Sequence, residues 1–207
     1  MLITEDIVED FMKENLEELK ELLIVVDVLN GFIKEGVLAD HGVGHIIPEI
    51  EELVKYFISE KQGIIFVKDC HTEDSVEFKT FPLHCLKGSS EAELVDELKQ
   101  YEDYGISVEK NSTSAIFAPE FLSLIKKMKN LKRVVGVGCE SDICVPNLFI
   151  PLKNYFNQEN KDVEIVIPLN AIETYDSPNH PRDKYNEASC MLMEQAGLTL
   201  VKKYERR

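Results

Sequence analysis

Short, uninterrupted apolar runs recur along this chain at intervals that a helix can fill, and this pattern constrains its fold most. The clearest runs are ELLIVVDVL at 21–29, GIIFVKD at 63–69, RVVGVG at 133–138 and VEIVIPL at 163–169. A strand that helices cover on both faces of a parallel sheet has this composition. Weaker strands are predicted near Gly105 to Val108 and near Thr199 to Val201.

Helical patterns lie between the apolar runs. Apolar residues at helical spacing predict helices over 46–59, 91–99, 119–129, 145–156 and 182–196. Residues 4–20 predict an amphipathic leading helix with Thr4 as its N-cap. Strands that alternate with helices imply right-handed crossovers. The predicted fold is therefore α/β, a doubly wound, mostly parallel sheet with helices on both faces in a Rossmann-like three-layer arrangement.

Length, charge and cysteine content limit the domain count and the partners. With 207 residues and 44% hydrophobic content, we expect a single domain over 1–207. A net charge of −15 without a basic stripe disfavours nucleic acid as a partner. The acidic N-terminus does not look like a signal peptide, and no later stretch is long enough to span a membrane. Five cysteines without paired spacing favour a reducing compartment, so we expect a soluble, cytoplasmic protein.

Polar side chains follow four of the predicted strands. Asp27 follows the first strand, Asp69 and His71 the second, Lys110 the third, and the segment 138–144 the fourth. In a doubly wound sheet the carboxyl ends of the strands form the binding edge. We therefore expect these residues to converge at one site.

Cys144 is the candidate nucleophile. It lies in GCESDICVPNLF, at the predicted start of the helix after the fourth strand. The amides and the dipole of a helix N-terminus lower the pKa of a thiol and supply donors for an oxyanion. The alternative is a buried, inert packing thiol, which is also our interpretation of Cys70, Cys139 and Cys190.

Asp27 and Lys110 are the candidate proton-handling partners of Cys144. An acid after LLIVV is costly to bury unless it is paired, although a loop cap or a structural ion pair would also explain Asp27. Lys110 has the alternative of a solvated strand end. With a thiol nearby, the carboxylate can accept a proton and the ammonium can stabilise the resulting anions.

The segment KDCHTEDSVEFKTFPLHC contains a candidate metal site formed by Asp69, His71, Glu77 and His84. Alternate residues of an extended chain point to the same side, which brings the first two together. Mixed carboxylate and imidazole ligands suit zinc, iron or manganese with open positions. The alternative is an acidic surface loop with two histidines. Outside this set, we interpret Glu73 and Asp74 as solvent-facing, and His41, His45 and His180 as loop or surface residues.

These segments together resemble the cysteine hydrolases of the isochorismatase-like fold, and within them the nicotinamidases. VVDVLNGF is similar to the opening strand of the family, VEKNSTSAIF to its lysine segment and GVGCESDICV to its nucleophile segment. KDCHTEDSVEF followed by FPLHCLKGSSEAEL resembles the nicotinamidase metal loop. The nucleophile segment is typical of the whole superfamily, whereas the metal loop with Pro-Leu-His-Cys indicates nicotinamidases in particular.

The resemblance implies a role for each matching residue. The catalytic triad would be Asp27, Lys110 and Cys144, and the metal ligands would be Asp69, His71, Glu77 and His84. The resemblance also implies that Phe32 and Phe81 stack on the substrate ring, and that the backbone amides of Glu140 and Cys144 hold the oxyanion beside a cis peptide near Cys139 and Glu140. The sequence departs from the common family pattern at Leu29, Gly31, Glu77 and Phe81, which bears on the pocket and on metal preference.

The implied activity is metal-assisted hydrolysis of nicotinamide to nicotinate and ammonia through a thioester, as in NAD salvage. The implied cofactor is a divalent metal ion, zinc in the first place, with iron or manganese as alternatives. The expected partner is a small amide, with a homo-oligomer possible and no nucleic acid or membrane. Two alternatives remain: a related hydrolase of another small amide, a ureido acid or isochorismate, and a non-catalytic metal-binding or partner-binding member of the fold.

Overall fold

The computed structural model describes residues 15–206, and these contain one sheet of six parallel strands. The strands are β1 (Glu21–Val26), β2 (Gly63–Asp69), β3 (Ile106–Lys110), β4 (Arg133–Gly138), β5 (Glu164–Pro168) and β6 (Thr199–Val201). Their order in the sheet is β3-β2-β1-β4-β5-β6. The predicted α/β fold is confirmed, and all four strong apolar runs and both weaker ones form strands.

The helices are α1 (Asn30–Ile33), α2 (Ile47–Ser59), α3 (Asp96–Lys99), α4 (Phe121–Lys127), α5 (Cys144–Gln158) and α6 (Arg182–Gln195). From β1 the chain passes through α2 to β2, toward the β3 edge of the sheet. From β4 it passes through α5 to β5, toward the β6 edge. Because parallel crossovers are right-handed, these opposite directions place α2 and α5 on opposite faces of the sheet. No helix within residues 15–206 combines the length and the apolar character that crossing a bilayer requires.

Side chains at helical spacing bury the inner faces of α2 and α5. In α2 the buried side chains are Ile47, Ile50, Leu53, Val54 and Phe57. On the other face, α5 lies close to β4, because a Cβ on Gly136 would stand only 2.4 Å from the Phe149 ring. A glycine at this strand position therefore lets a phenylalanine of α5 pack directly on the sheet.

The continuous helix predicted over 91–99 is wrong, because residues 93–95 interrupt it. Only Ser90–Ala92, a 3-10 turn, and Asp96–Lys99 are helical, and the residues between them are extended. The amide of Val95 donates to the carbonyl of Val28 at 3.1 Å, and the amide of Asn30 donates to the carbonyl of Glu93 at 3.0 Å. Pairing with the segment after β1 thus supplies the hydrogen bonds that a helix would have made internally.

The predicted leading helix lies mostly outside the described residues, because its positions 4–14 are among those not described. In the remaining part, Leu16–Glu18 form a 3-10 turn and Leu19 is extended, so a helix does not continue to residue 20. Leu16 and Leu19 are both buried, as the apolar pattern predicts.

Candidate active site

The ends of β1 and β3 and the start of α5 bring Asp27, Lys110 and Cys144 together. The Nζ atom of Lys110 lies 2.8 Å from Oδ2 of Asp27 and 3.8 Å from Sγ of Cys144. All three residues are at most 5% exposed. The alternative interpretation of Lys110 as a solvated strand end is therefore wrong, because its ammonium is enclosed with two ionisable partners.

The backbone after β4 is held tightly against the end of β1. Gly138 has a φ of +116°, and a Cβ there would stand 2.0 Å from the carbonyl oxygen of Val26. The amide of Cys139 donates to that same carbonyl at 2.9 Å, and the Cys139 thiol donates to the carbonyl of Asp27 at 3.0 Å. These contacts fix the segment that carries Cys144 beside the carboxylate.

Burial and the neighbouring charges set the protonation states of the three groups. Burial raises the pKa of the Cys144 thiol well above its usual value, even though Lys110 opposes the shift, so the lowered pKa expected from the helix N-terminus is wrong. Burial also raises the pKa of Asp27, to about 6, again against the effect of Lys110. For Lys110, burial would lower the pKa, but Asp27 and Asp69 raise it well above its usual value. At neutral pH the site therefore holds a neutral thiol, a carboxylate and an ammonium.

Asp69 connects this group to the candidate metal site. Its Oδ1 accepts a hydrogen bond from Lys110 Nζ at 2.6 Å, and its amide donates to Oδ1 of Asp27 at 2.9 Å. Burial would raise the pKa of Asp69, but Lys110, His71 and His84 hold it well below its usual range. Sequence reasoning assigned Asp69 to the metal alone. The signal for its contact with Lys110 is the register of the sheet, in which the two residues are direct partners.

The four predicted metal ligands form one cluster, with a donor atom of each within 4.8 Å of the others. The Nε2 atoms of His71 and His84 lie 3.2 Å apart. Oδ1 of Asp69 lies 3.4 Å from Nε2 of His71, and its Oδ2 lies 3.6 Å from Nε2 of His84. Oε1 of Glu77 lies 4.0 Å from Nε2 of His71. Because both histidines are almost fully buried, an acidic surface loop does not describe this segment.

Outer contacts orient these donors toward a common centre. Nδ1 of His71 lies 2.9 Å from the Asn111 side-chain oxygen, and Nδ1 of His84 lies 2.7 Å from the carbonyl of Pro82. If each Nδ1 donates to its oxygen, each Nε2 directs a lone pair at the other, which favours a cation between them. The cluster therefore suits a divalent metal ion. Asn111 was missed from the sequence, although it directly follows Lys110.

A cavity of about 530 Å³ opens onto both groups. Phe32 and Phe81, the two predicted stacking residues, line it together with Cys144. The rings of Phe32 and Phe81 lie 5.6 and 6.4 Å from the His84 ring, centroid to centroid. This volume is in the range of small-molecule sites.

The peptide bond between Cys139 and Glu140 is cis, as the resemblance implies. Among residues 15–206, the amides of Glu140 and Cys144 donate no backbone hydrogen bond. Two free amides next to a thiol are what an oxyanion site needs.

His180 lies in the loop before α6, which fits its interpretation as a loop or surface residue, but it is buried and not at the surface. Its ring lies between those of Tyr175 and Tyr185, at centroid distances of 3.9 and 3.6 Å. Its Nε2 lies 2.9 Å from Oδ2 of Asp142, two residues before Cys144. His180 thus connects the cavity wall at Tyr175 to the segment of the candidate nucleophile, a contact between distant parts of the chain.

The remaining predicted residues lie mostly as expected. Glu73, Asp74, His41 and His45 are exposed. Cys70 and Cys139 are buried, which fits packing thiols, whereas Cys190 on α6 is only partly buried.

Comparison with known proteins places this fold and site in a family. The isochorismatase domain matches residues 21–202. Nicotinamidase 1 of Arabidopsis thaliana is 28% identical over 203 residues, with 87% of this chain and 81% of that protein covered. The crystal structure of a pyrazinamidase/nicotinamidase from Streptococcus mutans superposes with a TM-score of 0.75 at 21% identity, covering 88% of this chain and 100% of that one. A pyrazinamidase of Pyrococcus horikoshii in complex with zinc gives a TM-score of 0.72 at 22% identity, covering 88% and 99%.

The fold and the family match define the class of protein, a hydrolase built on a parallel sheet, with its candidate site at the carboxyl edge of that sheet. The chain belongs to the isochorismatase family. The predictions of that family and of a hydrolytic enzyme are confirmed.

Proposed function

We propose that this chain is a nicotinamidase, a cysteine amidohydrolase that converts nicotinamide to nicotinate and ammonia. The observation that supports this most is the contact of Asp27 and Lys110 with Cys144, which lines a cavity together with two phenylalanines and three residues of the cluster suited to a metal. Similarity to nicotinamidases adds to it. We further propose that the chain acts as a single cytoplasmic domain in NAD salvage.

The first half of the reaction uses the ionisation states set by burial. Asp27, with a pKa raised to about 6, accepts the proton of the neutral Cys144 thiol. The thiolate attacks the carboxamide carbon while the amides of Glu140 and Cys144 hold the developing oxyanion. Asp27 then returns the proton to the nitrogen as the C–N bond breaks, so ammonia leaves and a thioester remains.

The second half reverses the proton movements. Asp27 takes a proton from water, and the resulting hydroxide attacks the thioester carbon. As the C–S bond breaks, the proton returns to the sulfur and the acid is released. Lys110, 2.8 Å from Asp27 and 3.8 Å from the sulfur, keeps a positive charge beside each anion that forms.

Asp69, His71, Glu77 and His84 would hold the metal ion. When bound, a divalent metal supplies a Lewis acid to which the pyridine nitrogen of the substrate can bind. We propose zinc, because mixed carboxylate and imidazole ligation suits it and because a similar structure contains it. Phe32 and Phe81 would then hold the ring and set the distance of the carboxamide from Cys144.

A turnover assay tests this function. Metal-loaded protein is supplied with nicotinamide, a ureido acid or isochorismate, and ammonia and the organic product are measured. We expect turnover of nicotinamide, and a loss of about a thousandfold or more in Cys144→Ala. Cys190→Ala, which removes a thiol far along the chain on α6, should retain wild-type turnover. Activity on a ureido acid or isochorismate without activity on nicotinamide would refute the proposed substrate.

A further inference from the structure

The cavity is unusually acidic for a site that faces a candidate nucleophile. Its lining includes five acidic residues, namely Asp40, Asp69, Glu77, Glu140 and Asp176. No lysine or arginine is among the lining residues in the described part of the chain. A carboxylate without a compensating charge repels anionic ligands. The charge partner of each of the five acids therefore affects which ligands bind in the cavity.

Four of the five acids are compensated or exposed. Asp69 and Glu77 belong to the cluster suited to a metal ion. Asp40 receives a hydrogen bond from the Arg182 guanidinium at 2.6 Å, and Asp176 is exposed. Their charges are therefore neutralised or screened by water.

Glu140 differs from the other four. It is 5% exposed, and within residues 15–206 it makes no ion pair. Its Oε2 accepts a hydrogen bond from the amide of Tyr175 at 2.8 Å, which places the carboxyl at the cavity wall. The ionisable groups that act on it most are also acids, Asp142 and Asp27. A buried, uncompensated carboxylate repels any second anion placed near it.

The acyl group of a bound substrate would lie within reach of this carboxyl. Glu140 supplies one of the proposed oxyanion amides and lines the same cavity as Cys144, so its carboxyl lies within one hydrogen bond plus one glutamate side chain of the acyl oxygen. An uncharged carboxamide at that place meets no Coulombic penalty. A carboxylate at the same place is repelled by the ionised carboxyl group of Glu140.

We propose that the Glu140 side chain, in its ionised form, is a specificity-determining group that selects uncharged carboxamides against carboxylate-bearing compounds. It disfavours ureido acids as substrates and weakens retention of the carboxylate product. This inference rests on the proposed function, because it takes the acyl group to lie at the Cys144 end of the cavity.

A binding experiment tests the inference without turnover. Zinc-loaded Cys144→Ala protein is titrated calorimetrically with nicotinamide and with nicotinate at about pH 9, because burial raises the pKa of Glu140 to about 8. Adding the substitution Glu140→Gln removes the charge but keeps a side-chain oxygen that can accept the hydrogen bond from the Tyr175 amide. We expect the ratio of the nicotinate Kd to the nicotinamide Kd to fall by about tenfold or more.

Two further variants complete the design. Glu140→Asp keeps the charge and should leave the ratio within about threefold of the parent. Glu159→Gln makes the same charge change at the far end of α5 and should leave the ratio unchanged.

The results distinguish failure of the inference about Glu140 from failure of the proposed nicotinamidase function. If both compounds bind and Glu140→Gln does not change the ratio, or if Glu140→Asp lowers it as much, the inference is wrong while the proposed function stands. A parent protein that binds neither compound, together with wild-type protein that releases no ammonia from nicotinamide, contradicts both.

Discussion

At the scale of single residues, Lys110 is the charge on which the site depends. Its ammonium lies 2.8 Å from one buried carboxylate and 2.6 Å from another. Replacing it with methionine leaves Asp27 and Asp69 buried without a cation. We expect Lys110→Met to lose about 3–5 kcal/mol of the free energy of unfolding, measured by urea denaturation, because an unpaired buried charge is strongly unfavourable.

Two companion variants distinguish this effect from loss of an ordinary ion pair. Lys87→Met removes an exposed lysine that lies 2.6 Å from Glu109, and it should cost less than about 1 kcal/mol. Lys110→Met/Asp27→Asn should recover at least about 1 kcal/mol relative to Lys110→Met. Equal losses in the buried and exposed lysine variants would contradict the buried charge network.

The raised pKa of Asp27 predicts the pH dependence of the reaction. Burial raises this pKa to about 6, and only the ionised carboxylate can accept the Cys144 proton. Activity should therefore be present above this value and be lost as the pH falls through it. We expect kcat/KM to decrease about tenfold per pH unit on the acid side. A profile that stays flat to about pH 5, in protein shown by circular dichroism to be folded, would exclude Asp27 as the base.

At the scale of elements, the connection from β4 to α5 determines where Cys144 lies. Gly138 has a positive φ, and a Cβ there would stand 2.0 Å from the Val26 carbonyl oxygen. The backbone would have to move away from β1. We expect Gly138→Ala to lose more than about 4 kcal/mol of stability in urea denaturation, or to be insoluble.

Gly88 provides a matched control for Gly138. It also has a positive φ, of +82°, but a Cβ there would meet nothing within 4 Å. Gly88→Ala should therefore lose only the backbone strain, about 1–2 kcal/mol, and should retain activity. If the two alanine variants are equally stable, the close approach of β1 and the segment after β4 does not hold as described.

At the scale of the whole molecule, metal binding should couple to folding. The candidate ligands come from the end of β2 and from the loop after it, so the cluster forms only in the folded chain. A ligand that binds only the native state stabilises it, by about 4 kcal/mol at a thousand times its Kd. We expect chelation to lower both Tm and turnover, and added zinc to restore both.

Variants of histidine identify the site of this effect. In His71→Ala/His84→Ala, added zinc should no longer raise Tm, and metal analysis should find less than one bound ion. His45→Ala changes an exposed histidine outside the cluster and should keep the full response. A zinc-induced rise in Tm that survives the double substitution would locate the metal elsewhere.

From the amino-acid sequence alone, the layers of the molecule and the residues at the carboxyl edge of the sheet could be predicted. Strands β1, β2 and β4 could be predicted because a strand buried on both faces needs an apolar side chain at almost every position. This pattern is a local property of the sequence. Asp27 and the segment that carries Cys144 could be predicted because residues that follow such a run lie at the edge where sites form.

Which of these groups are in contact follows from the folded chain and not from local sequence patterns. The contact of Asp69 with Lys110, the burial of His180 between two tyrosines and the uncompensated carboxyl of Glu140 all join segments far apart in the chain. The extended residues between Ser90–Ala92 and α3 have the same origin, since their hydrogen-bond partners follow β1. Local periodicity does not specify such pairs, because they depend on how distant strands and loops pack against one another in the folded chain.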